Sequence, residues 1–251
     1  MEGVPHQLLL VLLIGGGVGF LGGMLGKGGS AIATPLLVAV GIPPIIAVAA
    51  PLPATVPGTL VAADGYRRKG LIDRQVLLWS LIAGVPATVV GAVLTRWIAA
   101  DVLVYVTDVV IAVLGIRMLL GLGDAAQVVD SETRTRTIAV ATVTGLAAGL
   151  LANSGGFLLA PLFIAVLGLR IKPALGTSLA VAAVLAVPGT IVHLALGHID
   201  WAIVAVFAAG SVPLSGLGAR VAIRSDGAWL ERLYGVVLVV LGVGFLAAAV
   251  I

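Results

Sequence analysis

Two glycine-rich turns interrupt apolar stretches of the chain, and both carry polar side chains. The first glycine turn, residues 26–30, reads GKGGS, and the second glycine turn, residues 153–156, reads NSGG. Glycine lets the backbone turn tightly and brings its amide groups close to a ligand. Because a short apolar segment follows each turn, unpaired N–H groups and the positive end of a helix dipole should point into the same place. These features favour an anion as the ligand.

Lys27 gives the first glycine turn a full positive charge. A charged side chain at the centre of a bilayer costs at least about 2.5–3.5 kcal/mol, so a partner of opposite charge is expected there. We interpret Lys27 as the counter-charge of a bound anion. The alternative is a turn closer to the membrane surface, where the lysine side chain reaches the headgroups.

The other candidate binding residues are glycines and small polar residues near the two turns. Their amide, hydroxyl and carboxamide groups can donate hydrogen bonds to an anion. They also fit helix packing, helix capping or bonding to the helix's own backbone, and upstream glycines at positions 15, 19 and 23 have the spacing of a packing face. The predicted substrate-binding set is Lys27, Gly28, Gly29, Ser30, Asn153, Ser154, Gly155, Gly156, Thr177 and Ser178.

Two further residues are candidates for carrying a proton. Asp108 lies inside an apolar run, and His193 lies near the end of another. Both also fit a structural reading, as an interfacial carboxylate and as a polar helix end. Asp73 and Asp200 each precede an apolar segment and are predicted N-caps. The three histidines have no metal-ligand spacing, so no metal site is predicted.

Composition identifies an integral membrane protein. The chain is 61% hydrophobic and 10% charged, with a mean hydropathy of +1.23, whereas soluble domains carry about 25% charged residues. Cysteine is absent from the sequence, which excludes thiol chemistry. A membrane hydrolase needs clustered carboxylates, a histidine pair or a metal site. Here the acidic residues are scattered in loops and the histidines lack ligand spacing, so no enzymatic activity is expected.

The chain repeats itself at an offset of about 127 residues, as the pairs Asp73 and Asp200, and Gly91 and Gly218, illustrate. The repeat predicts a first transmembrane repeat at 1–121, a cytoplasmic linker at 122–136 and a second transmembrane repeat at 137–251. Each copy contains five apolar segments. They are predicted at 8–26, 29–41, 44–63, 75–95 and 102–121, and at 137–152, 155–168, 173–196, 201–223 and 229–251.

The basic residues predict how the two copies are oriented. The second segment of each copy is shorter than the roughly 20 residues that cross a membrane. It is therefore either part of one broken crossing, which makes the copies parallel, or one arm of a hairpin, which inverts them. Inversion places twelve of the fourteen Lys and Arg residues inside and only Arg96 outside, as the positive-inside rule expects. We predict an all-α integral membrane protein with two inverted repeats, each a broken helical hairpin followed by three transmembrane helices.

The motifs around these turns resemble those of a known family. Residues 19–29, GFLGGMLGKGG, with Pro35 after them, resemble the opening motif of the sulfite exporter TauE/SafE family. The second copy matches the family pattern further downstream, at residues 174–179, ALGTSL, and at residues 193–201. The resemblance covers essentially the whole chain. It implies transport of oxidised sulfur anions such as sulfite, thiosulfate or organosulfonates, and efflux is the direction in several members of the family.

Together, the sequence predicts a secondary transporter of the inner (plasma) membrane that moves small sulfur oxyanions by alternating access. The anion is expected at the midplane, between the two glycine turns. An anion channel and a transporter of a non-sulfur organic anion are the alternatives. Expected partners are the small anionic substrate, the lipid bilayer and a coupling ion, H⁺ or Na⁺, while a homodimer stays open. No cofactor and no nucleic-acid partner are expected.

Overall fold

The computed structural model of the protein describes residues 3–26, 30–94, 109, 112–120, 131–150 and 156–250. Across these ranges the chain is helical and has no strand, which confirms the all-α prediction. Residues 112–119 form one helical segment. The other helices are α1 (Gly3–Leu25), α2 (Ser30–Ala39), α3 (Pro44–Ala49), α4 (Pro51–Arg67), α5 (Arg74–Leu94), α6 (Ser131–Leu150), α7 (Gly156–Leu167), α8 (Ile171–Ala195), α9 (Trp201–Arg224) and α10 (Gly227–Val250).

Six spans in the described ranges are long and apolar enough to cross a membrane. They are His6–Leu25, Pro44–Arg67, Arg74–Leu94, Ile171–Ala195, Trp201–Arg224 and Gly227–Gly244. The second joins α3 to α4, because Ala50 between them keeps helical backbone angles and donates to Ile46 O. Large apolar side chains such as Leu13 and Val240 are more than 60% exposed, as lipid-facing residues are. The structure agrees with a multi-pass membrane protein.

The helix after the linker begins earlier than the sequence pattern predicts. α6 starts at Ser131, inside the stretch 122–136 that was predicted as linker, rather than at residue 137. Its first turns carry charged side chains, which the apolar pattern does not include. Arg134 lies over the ring of Trp79 at 3.8 Å from the ring centroid, so the charged start of α6 is packed against the start of α5.

Two aspartates set the starts of α5 and α9. The Oδ1 atom of Asp73 accepts hydrogen bonds from the backbone N–H groups two and three residues further on, at 3.0 and 2.9 Å. Asp200 Oδ1 does the same at 2.9 and 3.2 Å. Both carboxylates thus satisfy N–H groups that have no partner within the helix. The two predicted N-caps are confirmed.

Rows of glycine let α1 pack against α9 with its backbone in contact. In α1 the residues Gly15, Gly19 and Gly23 face, in the same order, the α9 residues Phe207, Ser211 and Ser215. A Cβ atom added at Gly15 would lie 2.5 Å from Phe207 O, a separation that real structures do not show. The predicted packing role of these upstream glycines is confirmed, and the matched order means that α1 and α9 run in the same direction.

The same arrangement recurs between α5 and α6. Gly84 lies beside Ala141, while Gly149 lies beside Thr88 and Ala92. Positions increase together along both helices, so α5 and α6 also run in the same direction. The sequence offset makes α6 the equivalent of α1, and α9 the equivalent of α5. Each of the two glycine contacts therefore joins one helix from the first half of the chain to one from the second half.

The contacts of α4 with α9 and α8 give its direction relative to both helices. Gly58 of α4 contacts Ser215 of α9, and Gly65 contacts Ile223, so α4 and α9 run the same way. Against α8 the order is reversed, because Leu52 contacts Gly189 and the end of α4 at Tyr66 contacts Gly176. Residues 112–119 and α10 are also antiparallel, with contacts at Gly115–Leu238, Leu119–Gly235 and Ala112–Gly242.

Basic residues gather at one end of the bundle. This end contains the C-terminal ends of α4 and α9 and the starts of α5, α6, α8 and α10. Lys172 Nζ donates to Ile223 O at 2.9 Å, satisfying a carbonyl in the last turn of α9. The opposite end, formed by the starts of α1, α3 and α9 and the end of α8, has no Lys or Arg among its described residues.

Candidate functional site

The structure describes part of the predicted site. Ser30 is the first residue of α2, and Gly156 is the first of α7, so each glycine turn is followed directly by a helix start. Gly156 is buried. The predicted residues that lie outside the described ranges are Lys27, Gly28, Gly29, Asp108, Asn153, Ser154 and Gly155.

The edge of the first glycine turn docks onto α8 of the second copy. Gly26 has a φ of +69°, a conformation that glycine adopts without strain. Ser178 Oγ lies 3.0 Å from Gly26 O and 2.9 Å from Leu175 O, and its single proton is donated to one of them at a time. A Cβ atom at position 26 would lie 2.7 Å from that Oγ. Ser178 therefore joins the first turn to α8.

The neighbouring hydroxyl makes a second link between the copies. Thr177 is fully buried, and its Oγ1 accepts a hydrogen bond of 2.9 Å from the backbone N–H of Asp73. Thr177 thereby fixes the start of α5 against α8. The structure thus brings Ser178 to the edge of the first turn and Thr177 to the start of α5, and a substrate contact by either hydroxyl remains a prediction.

A small, partly open cavity lies immediately before the first glycine turn, between α1, α4, α8 and α9. None of the described residues that line it is charged. They are Val18, Gly19, Gly22, Gly23, Ala54, Thr55, Gly58, Thr59, Leu179, Phe207, Ser211 and Ser215. Both copies contribute to this lining, and Gly22 and Gly23 are one turn away from Gly26.

The polar residues of this cavity were not predicted as site residues. Thr55 and Thr59 lie four positions apart on α4, and Ser211 and Ser215 lie four positions apart on α9. Hydroxyl residues at this spacing share a helix face, and such pairs inside apolar runs are the signal that could have identified them. Their partner helices, by contrast, are visible only in the fold.

The histidine candidate lies at the other end of α8. His193 is 9% exposed, and its Nδ1 is 3.3 Å from Nδ1 of His198. The two rings form a polar cluster at the helix end, as the structural alternative expected. Among the described residues, no group of three or more His, Cys, Asp or Glu side chains is placed to hold a metal ion.

Comparison with known proteins agrees with this architecture. A family model described as sulfite exporter TauE/SafE matches residues 11–245. A probable membrane transporter protein of Xylella fastidiosa (strain 9a5c) is 29% identical, and the alignment covers 95% of this chain and 94% of the relative. The probable membrane transporter protein YdhB of Bacillus subtilis is 31% identical over 84% of this chain and 89% of the relative.

A further Bacillus subtilis relative, the probable membrane transporter protein YjnA, is 24% identical over 92% of this chain and 97% of its own length. No solved structure matches the chain. These relatives are bacterial and are described as transporters, which agrees with the predicted inner-membrane location and with a protein that is not an enzyme. The family match over nearly the whole length, on a bundle of apolar spanning helices, assigns the chain to the sulfite exporter TauE/SafE family of membrane transporters.

Proposed function

We propose that the protein is a secondary transporter that moves small sulfur oxyanions, namely sulfite, thiosulfate or organosulfonates, by alternating access. The anion binds near the bilayer midplane, between the first and second glycine turns. The docking of Gly26 onto Ser178 is the observation that carries this proposal, because it places the edge of one turn against the other repeat. Duplicated transporters commonly bind substrate at such a junction.

The two repeats, 1–121 and 137–251, are proposed to be inverted with respect to each other. Helices that occupy equivalent places in the two copies pack in opposite directions, as α4 does against α8. The contact between residues 112–119 and α10 is reciprocal in the same way. Gly115 touches Val239, and its equivalent Gly242 touches Ala112, the equivalent of Val239. A twofold axis in the membrane plane produces such reciprocal contacts.

The charge of the substrate is met in two ways. Lys27 supplies a full positive charge in the first glycine turn. The helices that begin at Ser30 and Gly156 direct unpaired N–H groups and positive dipole ends towards the turns, where an oxyanion can accept hydrogen bonds. Gly28, Gly29, Gly155 and Gly156 allow the backbone to approach the substrate, and the side chains of Ser30, Asn153, Ser154 and Thr177 donate to its oxygens.

Alternating access follows from rocking of one repeat against the other. The helix pairs α1–α9 and α5–α6 meet through glycine rows, which bring the backbones of the two helices into contact. Ser178 and Thr177 keep the first turn and the start of α5 against α8. The site is then exposed to one side of the membrane at a time.

The test is counterflow of radiolabelled thiosulfate in proteoliposomes. We expect Lys27→Ala to slow exchange at least about tenfold, which corresponds to about 1.4 kcal/mol of binding. Lys69→Ala is the matched control, because Lys69 is exposed in the loop between α4 and α5 and should leave the rate unchanged. If the Lys27→Ala variant exchanges sulfite, thiosulfate and sulfonates at the wild-type rate, the proposed anion site is refuted. Single-channel currents from the protein would identify it as a channel instead.

A further inference from the structure

The hydroxyl groups around the cavity between α1, α4, α8 and α9 take no part in the anion site proposed above. Three of the four hydroxyl groups already donate hydrogen bonds to backbone carbonyl oxygens of α4. Thr55 Oγ1 donates to Pro51 O at 2.8 Å, and Thr59 Oγ1 donates to Thr55 O at 2.7 Å. Ser215 Oγ lies 2.8 Å from Gly58 O, across the α4–α9 contact. Each of these oxygens therefore keeps its lone pairs for another partner.

The fourth hydroxyl has no partner at all among the described residues. Ser211 lines the cavity and is 6% exposed, and its Oγ is fully buried without a hydrogen bond. A buried hydroxyl left unsatisfied is unfavourable by about 1–3 kcal/mol. A ligand held in the cavity would remove this deficit.

We propose that this cavity binds a small monovalent cation, for which sodium is the probe. Hard cations prefer oxygen ligands, and the lining offers four hydroxyl oxygens on the facing surfaces of α4 and α9. An anion would need donors instead, and three of the four protons are already in use. Cations that drive transport are commonly held by uncharged oxygens close to the substrate site.

Within the described part of the chain no carboxylate lines the cavity. The neighbouring anion explains this, a step that rests on the proposed function. Gly22 and Gly23 line the cavity, and Gly26 begins the first glycine turn one helical turn later. A doubly charged oxyanion such as thiosulfate, paired with Lys27 alone, keeps one negative charge. A monovalent cation in the cavity neutralises it, and the low dielectric of the bundle strengthens the attraction. Cation and anion then bind cooperatively, and their gradients are coupled.

Equilibrium binding of ²²Na⁺ to the purified full-length protein tests the proposal, with and without thiosulfate. We expect saturable binding that unlabelled sodium displaces and choline does not, and that thiosulfate tightens. Thr59→Val keeps the side-chain shape but removes the oxygen, and Ser211→Ala removes the unpartnered hydroxyl. Each should weaken sodium binding about tenfold, equivalent to 1.4 kcal/mol. Thiosulfate counterflow should lose its sodium dependence in both.

Ser80→Ala is the matched control. Ser80 is fully buried, and its Oγ also lacks a partner within the described part of the chain, but it lies on α5 and does not line the cavity. This variant should bind sodium as the wild type does. Absence of saturable binding in the wild type, or wild-type affinity in Thr59→Val and Ser211→Ala, would overturn the cation site. Sodium binding that survives without any thiosulfate transport would instead refute the anion assignment and leave the cation site standing.

Discussion

Replacing Gly19 with alanine tests the backbone contact between α1 and α9. Through this contact a helix of the first proposed repeat packs against a helix of the second. An added Cβ would lie 2.5 Å from Ser211 Cα, where ordinary contacts begin at 3.4 Å. Ser211 O would lie closer still, so the two helices must move apart by at least 3.4 − 2.5 = 0.9 Å. The obstacle is backbone and cannot rotate away, so we expect the cost of overpacking, about 1–3 kcal/mol.

The assay is thermal unfolding in detergent together with the thiosulfate counterflow rate. A loss of about 1–3 kcal/mol lowers the melting temperature by about 2–12 °C in a chain of this size. Gly17→Ala is the matched control, since its Cβ would meet nothing within 4 Å and alanine favours a helix over glycine by about 0.8–1.0 kcal/mol. A melting temperature for Gly19→Ala equal to or above that of Gly17→Ala would refute the packing argument.

Two further predictions concern the orientation of the copies and the docking of the turn. Single cysteines at Arg68 and His198, at the ends of the equivalent helices α4 and α8, should react with an impermeant maleimide from opposite sides of the membrane, and labelling of both from one side would contradict the inversion. Ser178→Ala removes the donor to Gly26 O and frees the edge of the first turn. Thiosulfate exchange should therefore slow by at least about fivefold, the effect of losing about 1 kcal/mol. An unchanged rate would show that the docking contact is dispensable.

Local signals predicted much of the fold. The apolar runs gave the spanning segments, because the length and apolarity of a helix that meets lipid are fixed by the membrane itself. Asp73 and Asp200 were predicted as caps because the N–H groups they satisfy lie only two and three residues away. The four-residue spacing of the α1 glycines likewise predicted a packing face.

These local signals could not predict contacts between residues that are far apart in the sequence. Thr177 bonds to a residue 104 positions away, and Ser178 to one 152 positions away. A hydroxyl that bridges two repeats is indistinguishable, in sequence, from one that bonds to its own helix. The cavity with Thr59 and Ser211 was missed for a related reason, because it exists only where α4 and α9 face each other. The charged first turns of α6 lie outside the predicted apolar segment, because hydropathy does not report a contact such as that of Arg134 with Trp79.

The central claim is that both glycine turns contact one bound oxyanion, and substrate protection tests it most directly. The chain has no cysteine, so single cysteines at Ser30 and Ser154 can be labelled with a small membrane-permeant thiol reagent, with a cysteine at Pro43 as the control. We predict that saturating thiosulfate slows labelling at Ser30 and at Ser154 with the same concentration dependence and leaves Pro43 unchanged. Protection at neither turn, or at only one of them, would contradict the account.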